Sequence, residues 1–454
     1  MQTTRGAGRV LVRAVRLVVV LAVVTLGLTG CQMWTQFMGN PALTGAQPGS
    51  SRLTTANLNQ LQAHTDQATA AGMDQIQVSV TGGLVYGATR ERVFGSDDRG
   101  RQLCPAELAL PLCPPRWMGE FDDYEHHIYV PSQPLIANGV LYILIDDTSS
   151  GFLLAYDADG VTNCTGAWPA MCAPLWRAPV ASKGAANIAG GTVYVTDALS
   201  GQLKAFDGAG TVGCSGVPRT CAPRWTAPVH SWSTPSISGD RVLVPTSEGT
   251  PAVFAYDLAG VAGCGGAPVT CSPLATISLP GISLGSVSVS EGVGYVQTNM
   301  PDQLVAIDAD AVNCPQATPC APLWSADLPS PSWSTPAVGN GRVYAASQSV
   351  LTVFDARGLE SCNPSTHRCG ALWQTDVPGD YLGHAPMVSA GLVFIGPRIY
   401  DAAGVVGCVP AAPLPAPIIC RPLWSPADSG PTLTLVDDHV YQGTALGVRV
   451  YSLP

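Results

Sequence analysis

The stretch GRVYAASQSVLTVFDARGLESCNPSTHRCGALW, residues 341–373, contains the pattern that decides the fold. Two runs rich in β-branched and aromatic residues, 342–346 and 351–354, are separated by a few polar residues, which is typical of a β-hairpin. The second run ends at Asp355, three residues before Gly358, and this combination is typical of a tight turn. A cysteine couple and a tryptophan complete the stretch.

The same pattern recurs about every fifty residues. Apart from Cys31, the cysteines form seven close couples: Cys104/Cys113, Cys164/Cys172, Cys214/Cys221, Cys264/Cys271, Cys314/Cys320, Cys362/Cys369 and Cys408/Cys420. An Asp stands six or seven residues before the first cysteine of each couple. A Trp stands four residues after the second cysteine in every couple except one, where Ala275 replaces the Trp. Such a period indicates one supersecondary unit repeated along the chain.

Each unit contains four predicted strands, which we call A to D in chain order. Strand A lies around a proline, B at a Val-Tyr pair, C ends at the Asp, and D carries the Trp. We predict an all-β fold, a single β-propeller of eight four-stranded blades, with seven blades as the alternative. The last unit stops before its D strand, so we expect an N-terminal strand near residues 62–69, after a short helix at 54–61, to close the ring.

The N-terminal region has the features of an export signal. Four arginines precede an apolar run at residues 17–28 that is too short to span a bilayer. Leu28-Thr29-Gly30-Cys31 resembles the bacterial lipobox, which implies that Cys31 is acylated and anchors the chain at the extracytoplasmic face of a bacterial membrane. We predict three segments: a signal peptide at 1–30, a flexible tether at 31–52 and the propeller at 53–454.

Composition and charge exclude several classes of protein. Hydrophobic residues make up 46% and charged residues 12% of the chain, which argues against disorder, and 49 Gly and 39 Pro argue against a helical bundle. The formal net charge is -10, and Lys183 and Lys204 are the only lysines. Nucleic acid is therefore not an expected partner, because binding it requires clustered cations. We expect a monomeric propeller.

The cysteine couples favour disulfides over metal sites. Five to eleven residues separate the two members of a couple, which differs from zinc-knuckle spacing, and no histidine recurs in register with them. Disulfides also suit an exported protein. The repeated Asp and Trp residues are interpreted as turn caps and packing residues, because they recur in register from unit to unit, with Ala275 as the single departure. No metal site is predicted.

Functional information should lie where the units differ. The D–A connections vary, and we expect them on the face opposite the C–D connections, around the mouth of the central channel. The candidate binding residues on this rim are Glu125, His126, Lys183, His230, Trp232, Trp333 and His384. Two tryptophans and several histidines suit a peptide or a flat ligand; alternatively, the tryptophans only fill the rim. A metal at the adjacent histidines is disfavoured, since neighbouring strand residues point to opposite faces.

These units resemble the PQQ-like repeat propellers in their Gly-x-Val-Tyr strand, Ala-x-Asp turn and outer-strand Trp. That family includes the lipid-anchored scaffold of the outer-membrane β-barrel assembly machine as well as quinoprotein dehydrogenases. The resemblance to the dehydrogenases implies a vicinal cysteine pair, and no Cys-Cys dipeptide exists here. We therefore predict a non-catalytic, cofactor-free envelope scaffold that binds a protein or peptide. The alternatives are a PQQ-dependent oxidoreductase and a sensor of a small ligand or sugar.

Overall fold

A computed structural model describes twelve segments of the chain: residues 36–47, 51–68, 77–97, 115–121, 132–146, 150–166, 169–310, 319–377, 385–410, 418–426, 433–444 and 447–454. Within these segments the chain forms eight small sheets, and the helical element is a single 3₁₀ turn, Leu58–Gln60. No helix among the described residues has the length and apolar character needed to cross a membrane.

The eight sheets are the blades of a propeller, and each is built from consecutive antiparallel strands. In blade 1 the strands A to D are Gln77–Thr81, Leu84–Ala88, Arg92–Asp97 and Trp117–Glu120, and in blade 2 they are Leu135–Ala137, Val140–Asp146, Gly151–Asp157 and Trp176–Pro179. In blade 3 they are Asn187–Ala189, Thr192–Asp197, Gln202–Asp207 and Trp225–Pro228, and in blade 4 they are Ser236–Ser238, Arg241–Pro245, Ala252–Asp257 and Ala275–Ser278. In blades 5 and 6 they are Ser288–Ser290, Val293–Thr298, Gln303–Asp308 and Trp324–Asp327; and Ala337–Gly339, Arg342–Ala346, Val350–Asp355 and Trp373–Asp376. Blade 7 has strands Met387–Ser389, Leu392–Ile395 and Arg398–Asp401, and blade 8 has Leu433–Val436, His439–Thr444 and Gly447–Ser452.

The ring closes through the N-terminal part of the chain. Strand Gln62–Ala68 pairs antiparallel with Gly447–Ser452 and supplies the outer strand of blade 8. The A strand of blade 1 contacts the A strands of blades 2 and 8, so the A strands surround a common centre. Eight blades and the closing strand are confirmed, and the seven-blade alternative is wrong. The helix expected at 54–61 is wrong except for its last turn, the 3₁₀ turn at Leu58–Gln60.

The core lies between the blades, and the repeated tryptophans pack there. Trp176 of blade 2 donates its indole N–H to the carbonyl of Gly208 in blade 3 at 3.1 Å, and Tyr142 donates its hydroxyl to the same carbonyl at 2.9 Å. Burial, with a smaller effect of Asp207, raises the pKa of Tyr142 to about 12, so its hydroxyl remains a donor. A Trp contacts the turn glycine of the next blade at four other junctions: Trp117 with Gly160, Trp225 with Gly260, Trp324 with Gly358 and Trp373 with Gly404.

The repeated Asp at the end of strand C caps the turn that receives the Trp. The Asp157 carboxylate accepts backbone N–H groups from Asp159, Val161 and Thr162 at 2.5 to 3.2 Å. Partial burial acts to raise the pKa of Asp157, but these hydrogen bonds, led by that of Thr162, outweigh burial and lower it. The same turn bonds occur at Asp207, Asp257, Asp355 and Asp401.

The cysteine couples form disulfide-closed hairpins that reach the neighbouring blade. Five couples are disulfides in the structure: Cys164–Cys172, Cys214–Cys221, Cys264–Cys271, Cys362–Cys369 and Cys408–Cys420. In blade 2, strand Ala170–Cys172 of this hairpin pairs parallel with the D strand of blade 1, and other hairpins pair likewise with the preceding blade. Each such hairpin therefore joins two blades. Cys320 is also disulfide-bonded, whereas Cys104, Cys113 and Cys314 lie outside the described residues.

Candidate functional site

The strand order places the variable D–A connections on one face of the ring. Because strands A to D alternate in direction, the B–C turns and D–A connections lie at one end of each blade, and the A–B and C–D turns lie at the other. We call the first the D–A face and the second the disulfide face. Of the predicted rim residues, Lys183, His230, Trp232 and Trp333 are described and belong to D–A connections. Glu125, His126, His384 and the lipobox residue Cys31 lie outside the described residues.

Two tryptophans project from the D–A face at equivalent positions. Trp232 precedes the A strand of blade 4 and is 42% exposed, and Trp333 precedes that of blade 6 and is 47% exposed. The backbone around each one is buried and hydrogen-bonded. The backbone N–H of Trp232 donates to the Ser247 hydroxyl at 3.0 Å. The Asn299 side-chain amide donates to the backbone carbonyl of Ser332 at 2.8 Å and accepts its backbone N–H at 2.9 Å.

A chain of buried polar groups connects the two tryptophans across blade 5. The Ser247 hydroxyl donates to the Ser283 carbonyl at 2.7 Å, and the Asn299 N–H donates to the Ile282 carbonyl at 2.8 Å. Asn299 then holds Ser332, the residue before Trp333. The backbone that carries the exposed indoles is thus held by buried hydrogen bonds, so binding a ligand there does not require this backbone to become ordered.

The other described rim residues have partners within the ring. Lys183 forms an ion pair with Asp146 of blade 2 at 2.6 Å; the Asp146 side chain is 10% exposed and that of Lys183 44%. His230 is exposed, and its ring lies over Gly201, where a Cβ would come within 2.4 Å of the imidazole. Lys183 therefore links two blades, and His230 covers the B–C turn of blade 3. The described residues contain no group of three or more potential metal ligands.

Residues 36–47 lie in the centre of the ring, which corrects the prediction of a flexible tether for this part of 31–52. Met38 and Leu43 are buried, and Ala46–Gln47 pairs parallel with the A strand of blade 7. Four backbone carbonyls accept N–H groups from the A strands of blades 4, 5, 6 and 7 in turn: Pro41 from Ile237, Ala42 from Val289, Thr44 from Val338 and Gly45 from Val388, at 2.6 to 2.9 Å. The segment thus follows half of the inner wall.

The disulfide-face end of this segment borders a cavity of about 430 Å³. Its lining includes Asn40, Thr44 and Gln47 of the central segment and Ser389 and Asn340 of the A–B ends of blades 7 and 6. Its lining combines these polar side chains and the turn backbone with the apolar Ala46, Val338 and Val388, on the face away from the exposed tryptophans.

Comparison with solved structures reveals the same architecture in proteins of very different sequence. BamB from Moraxella catarrhalis is 17% identical, with a TM-score of 0.52, and the match covers 86% of this chain and 97% of that one. Quinohemoprotein alcohol dehydrogenase from Comamonas testosteroni is 12% identical, with a TM-score of 0.55, covering 93% and 80%. The chain shares the β-propeller fold of these two proteins.

At these identities the likeness establishes the fold of the propeller and no more. The computationally designed protein Ika8 matches equally well, at 10% identity with a TM-score of 0.53, covering 86% of this chain and 100% of that one. No family model matches the propeller, and comparison with curated proteins finds no significant sequence match. The disulfides fit an extracytoplasmic location.

Sequence reasoning also missed the polar contacts that join the inner strands of the propeller. Ser236 donates its hydroxyl to the Val287 carbonyl of the next blade at 2.5 Å, and Asn187 donates to the Pro235 carbonyl at 2.7 Å. Equivalent bonds join Ser79 to Pro134 and Ser288 to Pro336. Their signal in the sequence is a small polar residue in strand A, at the first position in blades 3, 4 and 5 and at the third position in blade 1.

Proposed function

We propose that this propeller is a non-catalytic scaffold of the cell envelope, anchored to a membrane by an acylated Cys31, that binds a protein through its D–A face. The observation that carries the proposal is the position of residues 36–47. These residues fill part of the centre of the ring and bond to the A strands of four blades. The accessible large apolar side chains of the described part of the D–A face include Trp232 and Trp333, together with Leu199 and Met300.

The residues of this chain do not fit the quinone cofactor that the dehydrogenase likeness suggests. A flat cofactor in the middle of the ring would have to displace buried side chains such as Leu43 and break carbonyl hydrogen bonds to four blades. The sequence has no Cys-Cys dipeptide, and no cluster of three potential metal ligands occurs among the described residues. These observations support a binding function over an oxidoreductase.

The anchor and the lack of catalysis are tested on the full-length protein. Metabolic labelling with a palmitate analogue should label the parent protein, and Cys31→Ser should abolish both the label and membrane partitioning. Purified protein supplied with PQQ and Ca²⁺ should show no dye reduction with primary alcohols or aldose sugars. Labelling of Cys31→Ser would refute the anchor, and PQQ-dependent dye reduction would refute the non-catalytic proposal.

A further inference from the structure

The D–A face of blades 4 to 6 combines exposed apolar side chains with negative charge. Trp232, Met300 and Trp333 are 42%, 82% and 47% exposed, and we call these three residues the tryptophan platform. Met300 belongs to the B–C turn of blade 5 and follows Asn299, the residue that binds the backbone beside Trp333. The platform therefore spans three consecutive blades on one hydrogen-bonded frame.

The acids lie in the turns that support the platform. Glu248 follows Ser247, whose hydroxyl accepts the Trp232 N–H, and Asp302 follows Met300 by two residues. The D–A and B–C segments of blades 4 to 6 are residues 229–235, 246–251, 279–287, 299–302, 328–336 and 347–349. These segments contain two acids, Glu248 and Asp302, and no lysine or arginine.

We propose that the tryptophan platform is the docking site for a basic, apolar peptide segment of a partner protein, one in which arginine or lysine alternates with aliphatic residues. This inference rests on the proposed scaffold function and specifies its partner. Indole faces attract guanidinium and ammonium groups and cover aliphatic side chains. The acids in the flanking turns supply the complementary charge that favours a basic segment over an acidic one.

The rigid frame explains why a platform of three side chains is sufficient for recognition. Large aromatic anchors that are already ordered carry most of the binding energy in protein interfaces. The sequence Ser-Trp-Ser-Thr-Pro occurs twice, once around Trp232 and once around Trp333, so blades 4 and 6 present two equivalent anchors. An extended segment crossing blade 5 would contact Met300 between them.

The test measures binding of fluorescein-labelled dodecapeptides to the full-length protein by anisotropy. The probe alternates arginine and leucine, and the comparison peptides alternate glutamate with leucine and arginine with serine. We expect the Arg-Leu peptide to bind at least tenfold more tightly than either comparison peptide, and its affinity to fall between 50 and 500 mM NaCl. Equal binding of the Arg-Leu and Glu-Leu peptides would overturn the proposal.

Variants locate the site. Trp232→Ala/Trp333→Ala should lower the affinity at least tenfold, and Glu248→Gln/Asp302→Asn should lower it severalfold while reducing the salt dependence. The matched control is Val261→Ala on the disulfide face, which is 75% exposed and should leave affinity unchanged. Circular dichroism verifies that each variant is folded, and the charge variant changes only turn side chains.

The outcomes separate this proposal from the scaffold function. If the tryptophan variant binds the Arg-Leu peptide as the parent does, the platform is not the site. If that variant loses a native membrane partner but the Arg-Leu peptide does not bind the parent, the scaffold function stands and the basic peptide is the wrong ligand. Peptide binding together with PQQ-dependent activity would refute the non-catalytic proposal and leave the docking site intact.

Discussion

The docking of a tryptophan onto the next blade gives the sharpest stability prediction. Gly210 and Gly191 both have positive φ, +64° and +77°, so replacing either by alanine incurs the left-handed penalty of about 1 kcal/mol. Only Gly210 faces Trp176: a Cβ there would lie 2.1 Å from Cδ1 of the indole, whereas a Cβ at Gly191 has no neighbour within 4 Å.

The difference between the losses in free energy of unfolding caused by the two substitutions measures the cost of disturbing the packing of Trp176 on Gly210. In Gly210→Ala the indole must shift, which adds about 1 to 3 kcal/mol for overpacking and about 1 kcal/mol for the hydrogen bond to the Gly208 carbonyl. We expect Gly210→Ala to lower the free energy of unfolding by about 3 to 5 kcal/mol and Gly191→Ala by about 1 kcal/mol.

Urea denaturation under non-reducing conditions, followed by circular dichroism, gives both values. Adding Trp176→Phe supplies a smaller ring without the N–H donor, so Gly210→Ala should cost at least 1 kcal/mol less in that background than in the parent. Equal losses for Gly210→Ala and Gly191→Ala, or additivity of Gly210→Ala with Trp176→Phe, would refute the packing argument.

Three further predictions concern the hairpins, the turns and the central segment. Cys214→Ser/Cys221→Ser should lower the free energy of unfolding by about 2.5 kcal/mol, because an eight-residue loop is released in the unfolded chain; an unchanged urea midpoint would contradict this. The lowered pKa of Asp157 means that its stabilisation is present above the ordinary carboxyl pKa near 4 and is lost as pH falls through the lower folded value; Asp157→Asn should therefore reduce the acid-induced fall in melting temperature, and identical pH profiles would count against the turn cap. Leu43→Ala should cost about 2 to 5 kcal/mol because this side chain is fully buried, whereas Leu359→Ala, at 75% exposure, should cost less than about 0.5 kcal/mol; equal melting temperatures would place Leu43 outside the core.

The fold was predictable because its determinants repeat in register. At a junction between blades, the Trp of one D strand meets the turn of the next blade that contains the Asp and the Gly. The three residues share a period because they belong to this one packing arrangement. Trp176 and Gly210 illustrate this: the glycine is needed where the indole lies. The C-terminal unit without a D strand likewise predicted closure by the chain's other end, which strand Gln62–Ala68 provides.

The central segment was not predictable from composition. Residues 36–47 contain Gly and Pro, which are also common in flexible linkers. The segment contacts Ile237, Val289 and Val338 through its backbone carbonyls, and such contacts do not depend on the side chains of the segment. The pairing of each hairpin with the preceding blade was also missed, since strands of two or three residues have no recognisable period. Only isolated apolar residues such as Leu43 hinted at burial.

The candidate site was predictable in type but not in arrangement. The repeated Ser-Trp-Ser-Thr-Pro segment indicated Trp232 and Trp333, and the structure exposes both. Lys183 was predicted as a candidate binding residue on the rim, and in the structure it pairs with Asp146, which lies 37 residues earlier in the chain. Contacts between blades depend on the closed ring, and one unit alone does not reveal them.

The central claim is that the propeller works by binding a protein on its D–A face. The most direct measurement is co-purification of the full-length protein from native membranes in mild detergent, beside Trp232→Ala/Trp333→Ala and the disulfide-face control Val261→Ala. Partners are quantified by mass spectrometry. The account predicts a stoichiometric partner that is retained by the parent and the control and lost from the tryptophan variant. The same partner recovered equally with all three proteins would contradict it.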